Sequence, residues 1–255
     1  MGTTRSNGSL YTTIENRVAT IEFGHPASNS FVTVLLDRLT VELDKLSELD
    51  EVSVIVLRSE GDRTFCAGAS FEELMEVSTL EEGKLFFGGF AKVINAMRSC
   101  TKVIIGRVQG KSVGGGVGLI AACDHVFAVE AAAVRLSELS IGLAPLVIAP
   151  AVERKIGTAA LAALALYPNE WKNAYWALEK GLFSRVFENM VEMDREVDLF
   201  TRNLSSYNPQ ALLEMKKVLW EGTSHWAELL PERAAITGRL ALSDSTKKAL
   251  EKFRS

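Results

Sequence analysis

The stretch VQGKSVGGGVGLIAACD, residues 108–124, decides the fold of this chain. It links two mainly apolar runs, Val103–Val108 and His125–Val129, each with the length of a buried strand. Three successive glycines, Gly114 to Gly116, allow main-chain conformations that side chains exclude, and they leave backbone N–H groups open to a ligand. The stretch therefore predicts a buried strand, a tight glycine turn, a short helix over residues 116–122 and a further buried strand.

The sequence before this stretch alternates between strand and helix patterns. Two β-prone runs, residues 10–14 and 18–23, predict an opening hairpin. A leucine stripe predicts a helix over residues 35–49, a branched apolar run predicts a strand over 52–57, and residues 81–97 are helical in pattern. Alternation of this kind is typical of an α/β fold.

After about residue 150 the pattern becomes almost entirely helical. Apolar spacing predicts helices over residues 189–204, 209–220 and 226–242, with one short strand candidate over 182–187. We therefore expect a core over residues 1–190 and a C-terminal helical region over residues 191–255. Such helices can close over the core of their own subunit or pack on a neighbouring subunit.

Composition excludes several functional classes. The chain has 255 residues and is 47% hydrophobic, which is enough to bury one large core. Its net charge of −4 and its scattered basic residues argue against a nucleic-acid partner. No apolar run approaches the roughly 20 residues needed to span a bilayer. The first ten residues are polar and carry no apolar segment of a secretory signal, so we expect a cytoplasmic protein that does not bind membranes.

The three cysteines, Cys66, Cys100 and Cys123, are widely spaced and form no C-x-x-C pair. We expect them to be reduced, and we expect no metal site.

Two loops each offer backbone donors beside small residues. The first, TFCAGASFEEL over residues 64–74, follows a buried strand and leads into a helix. The second, residues 109–116, has the same placement. N–H groups from two such loops can converge on one oxygen atom, which is the arrangement of an oxyanion hole. Taken alone, a glycine run is more often a tight connection between a strand and a helix than a binding site, and the two loops are then simply two tight turns.

Four segments together resemble one known family. They are HPASNS at residues 25–30, FCAGASFEEL at 65–74, the stretch at 108–124, and LSELSIGLAP at 136–145. In order and spacing they are similar to the crotonase superfamily, also called the enoyl-CoA hydratase/isomerase family. The resemblance implies a crotonase (ClpP/crotonase-like) α/β fold with a spiral core of repeated ββα units. It also implies a C-terminal helical region that mediates assembly into a homotrimer or a dimer of trimers.

The resemblance also implies the site residues. Carried over by position, the N–H groups of Ala69 and Gly115 hold the thioester oxygen of an acyl-CoA, and Glu138 is the acid/base. The implied substrate-binding positions are Pro26, Ala27, Asn29, Ala67, Gly68, Ser70, Gly114 and Gly118. Because CoA is part of the substrate, no separate cofactor is implied.

The reaction type depends on one missing carboxylate. Hydratases of the family hold a water between two glutamates, and the first of these positions is Gly118 here, whereas the second is Glu138. A single carboxylate can shuttle one proton between two carbons, so we favour Δ3,Δ2-enoyl-CoA isomerisation. We expect Leu136, Leu139 and Ile141 to desolvate Glu138 and to raise its pKa. An enoyl-CoA hydratase, and a non-catalytic acyl-CoA- or RNA-binding homologue, stay open as alternatives.

Overall fold

Pairs of strands, each pair followed by a helix, form the core in the computed structural model, which describes residues 7–252. Within these residues the strands are β1 Ser9–Glu15, β2 Val18–Gly24, β3 Val54–Ser59, β4 Thr64–Cys66, β5 Val103–Val108, β6 Lys111–Val113, β7 His125–Val129, β8 Ala133–Arg135, β9 Lys172–Asn173 and β10 Arg185–Phe187. The helices are α1 Thr33–Glu48, α2 Phe71–Glu76, α3 Leu80–Ser99, α4 Gly115–Ala122, α5 Ala149–Ala165, α6 Ala174–Glu179, α7 Met190–Ser205, α8 Pro209–Leu219, α9 Trp226–Ala241 and α10 Asp244–Glu251. A 3₁₀ turn, Glu138–Ile141, lies between β8 and α5.

The strands divide between two sheets. The larger sheet has the order β1-β2-β3-β5-β7-β10, and the smaller has the order β4-β6-β8-β9. In the pairs β3–β4, β5–β6 and β7–β8, the first strand joins the larger sheet and the second joins the smaller one. The core is therefore the series of ββα units that the family resemblance implies. Its inner strands are parallel and covered on both faces, which explains why β5 is buried at every position.

The long elements predicted from the sequence are confirmed. The opening hairpin pairs antiparallel with Leu10 opposite Phe23. The expected strands at β5 and β7 begin and end where the apolar runs do. The leucine stripe of α1 faces the core, and its buried residues are Leu35, Leu36, Leu39, Leu43 and Leu46.

The C-terminal helices pack on the core of their own chain. Helix α9 crosses α3 so closely that a Cβ on Gly83 would lie 2.8 Å from the Cα of Gly238. Helix α10 packs against the 3₁₀ turn, where Thr246 donates a hydrogen bond to the carbonyl of Gly142. This is one of the two arrangements that the sequence left open, and the homotrimer stays a prediction.

A buried ion pair anchors α8 to the core. Lys216 is 2% exposed, and its Nζ lies 2.9 Å from Oδ2 of Asp124. The same Nζ donates to the carbonyls of Met97 and Lys102, while Oδ1 of Asp124 accepts from Nε1 of Trp220. Each charged group therefore has its hydrogen-bonding partners inside the protein, as buried ions require.

Between residues 7 and 252, no helix is both long enough and apolar enough to cross a membrane.

Candidate active site

The two donor loops and Glu138 meet around a cavity of about 190 Å³. The walls come from the loop between β4 and α2, from α3, from the start of α4 and from the segment that follows the 3₁₀ turn. Among the residues predicted from the sequence, those that line this cavity are Ala67, Gly68, Ala69, Gly114, Gly115 and Glu138. Residues far apart in the chain thus converge on one space.

Ala69 directs its N–H group away from Phe31. It forms an isolated parallel bridge with Phe31, in which Phe31 N–H donates to Gly68 O over 2.8 Å and Ser70 N–H donates to Phe31 O over 2.7 Å. These two hydrogen bonds use the carbonyl of Gly68 and the N–H of Ser70, which are the neighbours of Ala69. Because alternate residues of an extended chain direct their backbone groups to opposite sides, the N–H of Ala69 points away from Phe31, towards the cavity that Ala69 lines. Gly68 has a φ of +91°, a conformation that favours glycine.

Gly115 supplies the second free donor. It is the first residue of α4, so its N–H has no acceptor within the helix, and the helix dipole favours negative charge there. Gly114, with a φ of +52°, leads the chain into this position, and its N–H donates to the carbonyl of Arg135 over 3.0 Å. A Cβ on Gly68 would lie 3.7 Å from the nitrogen of Gly115, so the two donor loops are in contact.

The aromatic ring of Phe90 covers the glycine turn. A Cβ on Gly115 would lie 2.9 Å from Cε2 of Phe90 and closer still to two other ring atoms. The ring of Phe90 in turn packs edge-on against Phe31, with 6.0 Å between the ring centroids. The periodic pattern of α3 predicted the helix but did not indicate which of its residues touch the glycine turn.

Glu138 opens the 3₁₀ turn and places its carboxylate beside Gly114. A Cβ on Gly114 would lie 2.8 Å from Oε1 of Glu138. The other oxygen, Oε2, is shielded from solvent and accepts no hydrogen bond from any residue that the structure describes. Burial raises the pKa of Glu138 from 4.5 to about 7, against the opposing effects of its own backbone N–H and of the positive charge of Arg135. A carboxyl group with this pKa can accept and donate a proton at neutral pH.

The apolar neighbours expected to desolvate Glu138 contribute unequally. Ile141 lines the cavity and Leu136 is fully buried, but Leu139 is 42% exposed. The prediction for Leu139 is therefore wrong, because this residue lies on the outer side of the turn.

Gly118 lies against an aliphatic side chain at the cavity wall. A Cβ on Gly118 would lie 2.7 Å from Cβ of Ile148 and 3.6 Å from Cδ1 of Ile94. Ile148 itself lines the cavity. The position where family hydratases carry their first glutamate thus has no room for a longer side chain. Among the described residues that line the cavity, only Glu138 has a titratable side chain.

The remainder of the cavity wall is mainly apolar, and one of the C-terminal helices, α9, contributes to it. Phe86 and Phe87 of α3 line it, with their rings in edge-to-face contact 5.0 Å apart. Leu143 lines it as well and belongs to a small apolar cluster with Leu250 of α10. Thr237 of α9 adds one buried hydroxyl group. Sequence periodicity predicted α9 but carried no signal that it reaches this cavity.

The loop that precedes α1 lies beside the cavity. Pro26 and Ala27 are exposed there, whereas Asn29 is buried and has a φ of +57°. The side-chain amide of Asn29 donates to the carbonyls of residues 60 and 64, which fixes the loop. Because Ala67 N–H donates to the carbonyl of Ser28, the exposed residues lie next to a cavity-lining residue.

Ser70 acts as a helix cap behind the cavity wall. It is 5% exposed, and its hydroxyl accepts a hydrogen bond from the N–H of Glu73 at the start of α2. Oε2 of Glu73 then accepts from both the N–H and the hydroxyl of Thr33, each over 2.8 Å. These contacts orient α2, whereas the side chain of Ser70 does not join the described cavity wall.

Within the described part of the chain, no group of three or more His, Cys, Asp or Glu residues is arranged to hold a metal ion. Cys66, Cys100 and Cys123 are buried free thiols, and burial raises the pKa of Cys66 and of Cys123 to about 12.

Comparison with known proteins agrees with this architecture. The family model described as enoyl-CoA hydratase/isomerase matches residues 13–253. A probable enoyl-CoA hydratase of Bacillus subtilis is 26% identical over 242 residues, which cover 94% of this chain and 93% of that protein. A peroxisomal Delta(3,5)-Delta(2,4)-dienoyl-CoA isomerase of Arabidopsis thaliana is 29% identical over 189 residues, 69% of this chain and 67% of that protein.

A solved structure supports the same conclusion about the fold. The crystal structure of an enoyl-CoA hydratase from Bacillus halodurans superposes with a TM-score of 0.89 at 20% identity. The superposition covers 95% of this chain and 99% of that chain. The crotonase-like α/β fold expected from the sequence is confirmed.

Proposed function

The chain belongs to the enoyl-CoA hydratase/isomerase family of enzymes, which act on acyl-CoA thioesters, and we propose that it isomerises a 3-enoyl-CoA to the 2-enoyl-CoA. One observation carries the proposal: Ile148 fills the space beside Gly118, so Glu138 is the only acid/base among the described residues of the cavity wall. One carboxylate is sufficient for proton transfer between two carbons of the same substrate.

The donors act on the thioester oxygen. When a proton leaves C2, negative charge develops on this oxygen, and the N–H groups of Ala69 and Gly115 stabilise the dienolate more strongly than the neutral thioester. Removing one such donor typically costs about 3 to 4 kcal/mol of transition-state stabilisation. Backbone donors held by a strand bridge and by a helix start need no rearrangement during the reaction.

Glu138 carries the proton. Its carboxylate takes the proton from C2, the double bond moves from C3–C4 to C2–C3, and the carboxyl group returns the proton to C4. No proton is gained or lost overall, and no water is required. A pKa of about 7 suits both steps, because the group must be a base in the first and an acid in the second.

Hydration of a 2-enoyl-CoA is the second candidate, and Ser137 is the observation that favours it. The residue precedes Glu138 and lines the cavity. Its hydroxyl group offers a donor and an acceptor that can hold a water next to the carboxylate. In this case Ser137 would serve in place of the missing first glutamate.

The ultraviolet absorbance of the conjugated thioester distinguishes these reactions. We expect it to rise when the enzyme is given 3-enoyl-CoA and to be abolished in Glu138→Gln, with Glu221→Gln on the exposed surface as the matched control. A fall with 2-enoyl-CoA that is weakened by Ser137→Ala would establish hydration instead. Tight binding of CoA thioesters without turnover of either substrate would indicate a non-catalytic homologue and would contradict both reactions.

Assembly and location extend the proposal. We propose a homotrimer or a dimer of trimers on the basis of the family resemblance, and a cytoplasmic location on the basis of the composition. Light scattering coupled to size-exclusion chromatography tests the assembly, and a monomeric mass would refute it.

A further inference from the structure

We propose that Thr246, on the C-terminal helix α10, is a positioning residue that holds the turn carrying Glu138 in its catalytic place. The inference rests on the proposed function only for its kinetic consequence, because the contact itself lies within the fold. Its basis is a hydrogen bond between two segments 104 residues apart in the sequence.

Gly142 is the point where α10 meets the turn. This residue ends the 3₁₀ turn with a φ of +79°, and its carbonyl accepts a 2.8 Å hydrogen bond from Oγ1 of Thr246. A Cβ on Gly142 would lie 2.6 Å from Oγ1 and 2.9 Å from the Cα of Thr246. Only a glycine allows the two backbones to approach so closely, and the contact excludes any side chain from the gap.

Hydrogen bonds within the turn connect Gly142 to the backbone of Glu138. Glu138 O accepts from Leu143 N–H over 3.0 Å, and Gly142 N–H donates to Leu139 O over 3.2 Å, so the backbone from 138 to 143 is one hydrogen-bonded unit. The carboxylate of Glu138 is not held by a side chain of another described residue. Its position therefore depends on its backbone, and the backbone depends on what holds the turn.

Helix α10 is itself held firmly enough to fix the position of the turn. Thr246 is fully buried, and its N–H and its hydroxyl both contact the hydroxyl of Ser243, the N-cap residue. At the other end of α10, Leu250 packs in the apolar cluster that contains Leu143. Helix α10 therefore contacts the active-site segment at two points, through the hydrogen bond of Thr246 and through the apolar packing of Leu250.

A matched pair of substitutions tests the hydroxyl group of Thr246, which bonds to Gly142 and to Ser243. Thr246→Val keeps the shape and removes the hydroxyl, whereas Thr246→Ser keeps the hydroxyl. A shift of about 1 Å in a catalytic group can cost a hundredfold in rate, so we expect kcat for 3-enoyl-CoA to fall about tenfold to a hundredfold in Thr246→Val. We expect KM to change less than twofold and Thr246→Ser to retain most of the rate.

Thr201→Val is the control for loss of a buried threonine hydroxyl. Thr201 is 3% exposed, and its hydroxyl bonds within α7 to the carbonyl of Val197. We expect this variant to keep the wild-type kcat. Equal loss of kcat in Thr246→Val and Thr201→Val, or an unchanged kcat in Thr246→Val while Glu138→Gln is inactive, would overturn the positioning role.

Amide hydrogen exchange tests the contact without any substrate. We expect the amides of Gly142 and Leu143 to exchange at least tenfold faster in Thr246→Val than in the wild type, with Thr246→Ser close to the wild type. If the wild type turns over neither thioester, the proposed function fails, but faster exchange at these amides still shows that Thr246 stabilises the turn. Unchanged exchange at these amides refutes that stabilising contact, whatever the enzyme catalyses.

Discussion

Replacing Glu138 with Gln should stabilise the protein at neutral and alkaline pH while abolishing its activity. The side chain is held where burial raises its pKa from 4.5 to about 7. Above pH 7 the wild-type protein therefore keeps a charge in a site that disfavours it, and the glutamine variant does not. A catalytic carboxyl group whose pKa is raised by burial is expected to lower the stability of the fold when it is charged.

The magnitude follows from the pKa. At about 1.4 kcal/mol for each tenfold change in proton affinity, the rise from 4.5 to about 7 corresponds to about 3 kcal/mol. The pKa is higher in the folded state, so the favourable contribution is complete below pH 4.5 and is lost as the pH rises through 7. The advantage of Glu138→Gln in the free energy of unfolding should thus grow by about 3 kcal/mol between pH 4 and pH 8 and then level off.

Urea denaturation of both proteins at a fixed protein concentration, in steps from pH 4 to pH 9, measures this difference. Groups other than residue 138 titrate in both proteins and cancel in the subtraction. In the same pH range, kcat/KM of the wild type for 3-enoyl-CoA should rise with pH, reach half of its maximum near pH 7 and level off above it, because the carboxylate form starts the reaction. Parallel stability curves for the two proteins would refute the raised pKa and, with it, this account of the acid.

Three further outcomes are expected. Gly118→Ala should lower stability by about 1 to 3 kcal/mol through overpacking, and Ile148→Ala in the same chain should remove part of that cost; strict additivity in the double-mutant cycle would contradict the contact. Arg135→Gln should raise the pKa of Glu138 further, because a positive charge that favours the carboxylate is lost, and the pH profile of kcat/KM should move to higher pH; a profile that stays in place would exclude this electrostatic role. Lys216→Met should cost about 3 to 5 kcal/mol in urea denaturation because it leaves a buried carboxylate unpaired, and a loss below 1 kcal/mol would contradict that pairing.

Elements with strong periodicity could be predicted from the sequence, and short ones could not. Strands β5 and β7 begin and end where they were predicted, because most of their side chains are apolar, as strands covered on both faces require. Strands β4, β6 and β8 have three residues each, too few to show alternation, and their pairing involves residues distant in the sequence. Their existence was implied only by the family resemblance.

In the active site, too, some features could be predicted from the sequence and others could not. The family resemblance implies the donors Ala69 and Gly115, and the glycines that precede them, Gly68 and Gly114, mark the two loops in the sequence because each has a positive φ in the structure. The side chains that surround the donors leave no such signature. Ile148 meets Gly118 across two elements, and Thr246 meets Gly142 across most of the C-terminal half, so neither contact follows from local spacing.

The two backbone donors and Glu138 are held in place by different numbers of contacts, and this difference should appear in the kinetics. The N–H of Ala69 is oriented by a strand bridge, and that of Gly115 by a helix start, a glycine turn and the ring of Phe90. Glu138 has only the backbone of a short turn behind it, which α10 holds from one side. In the proposed reaction the donors bind the thioester and Glu138 moves the proton, so substitutions around the turn should reduce kcat far more than they weaken substrate binding.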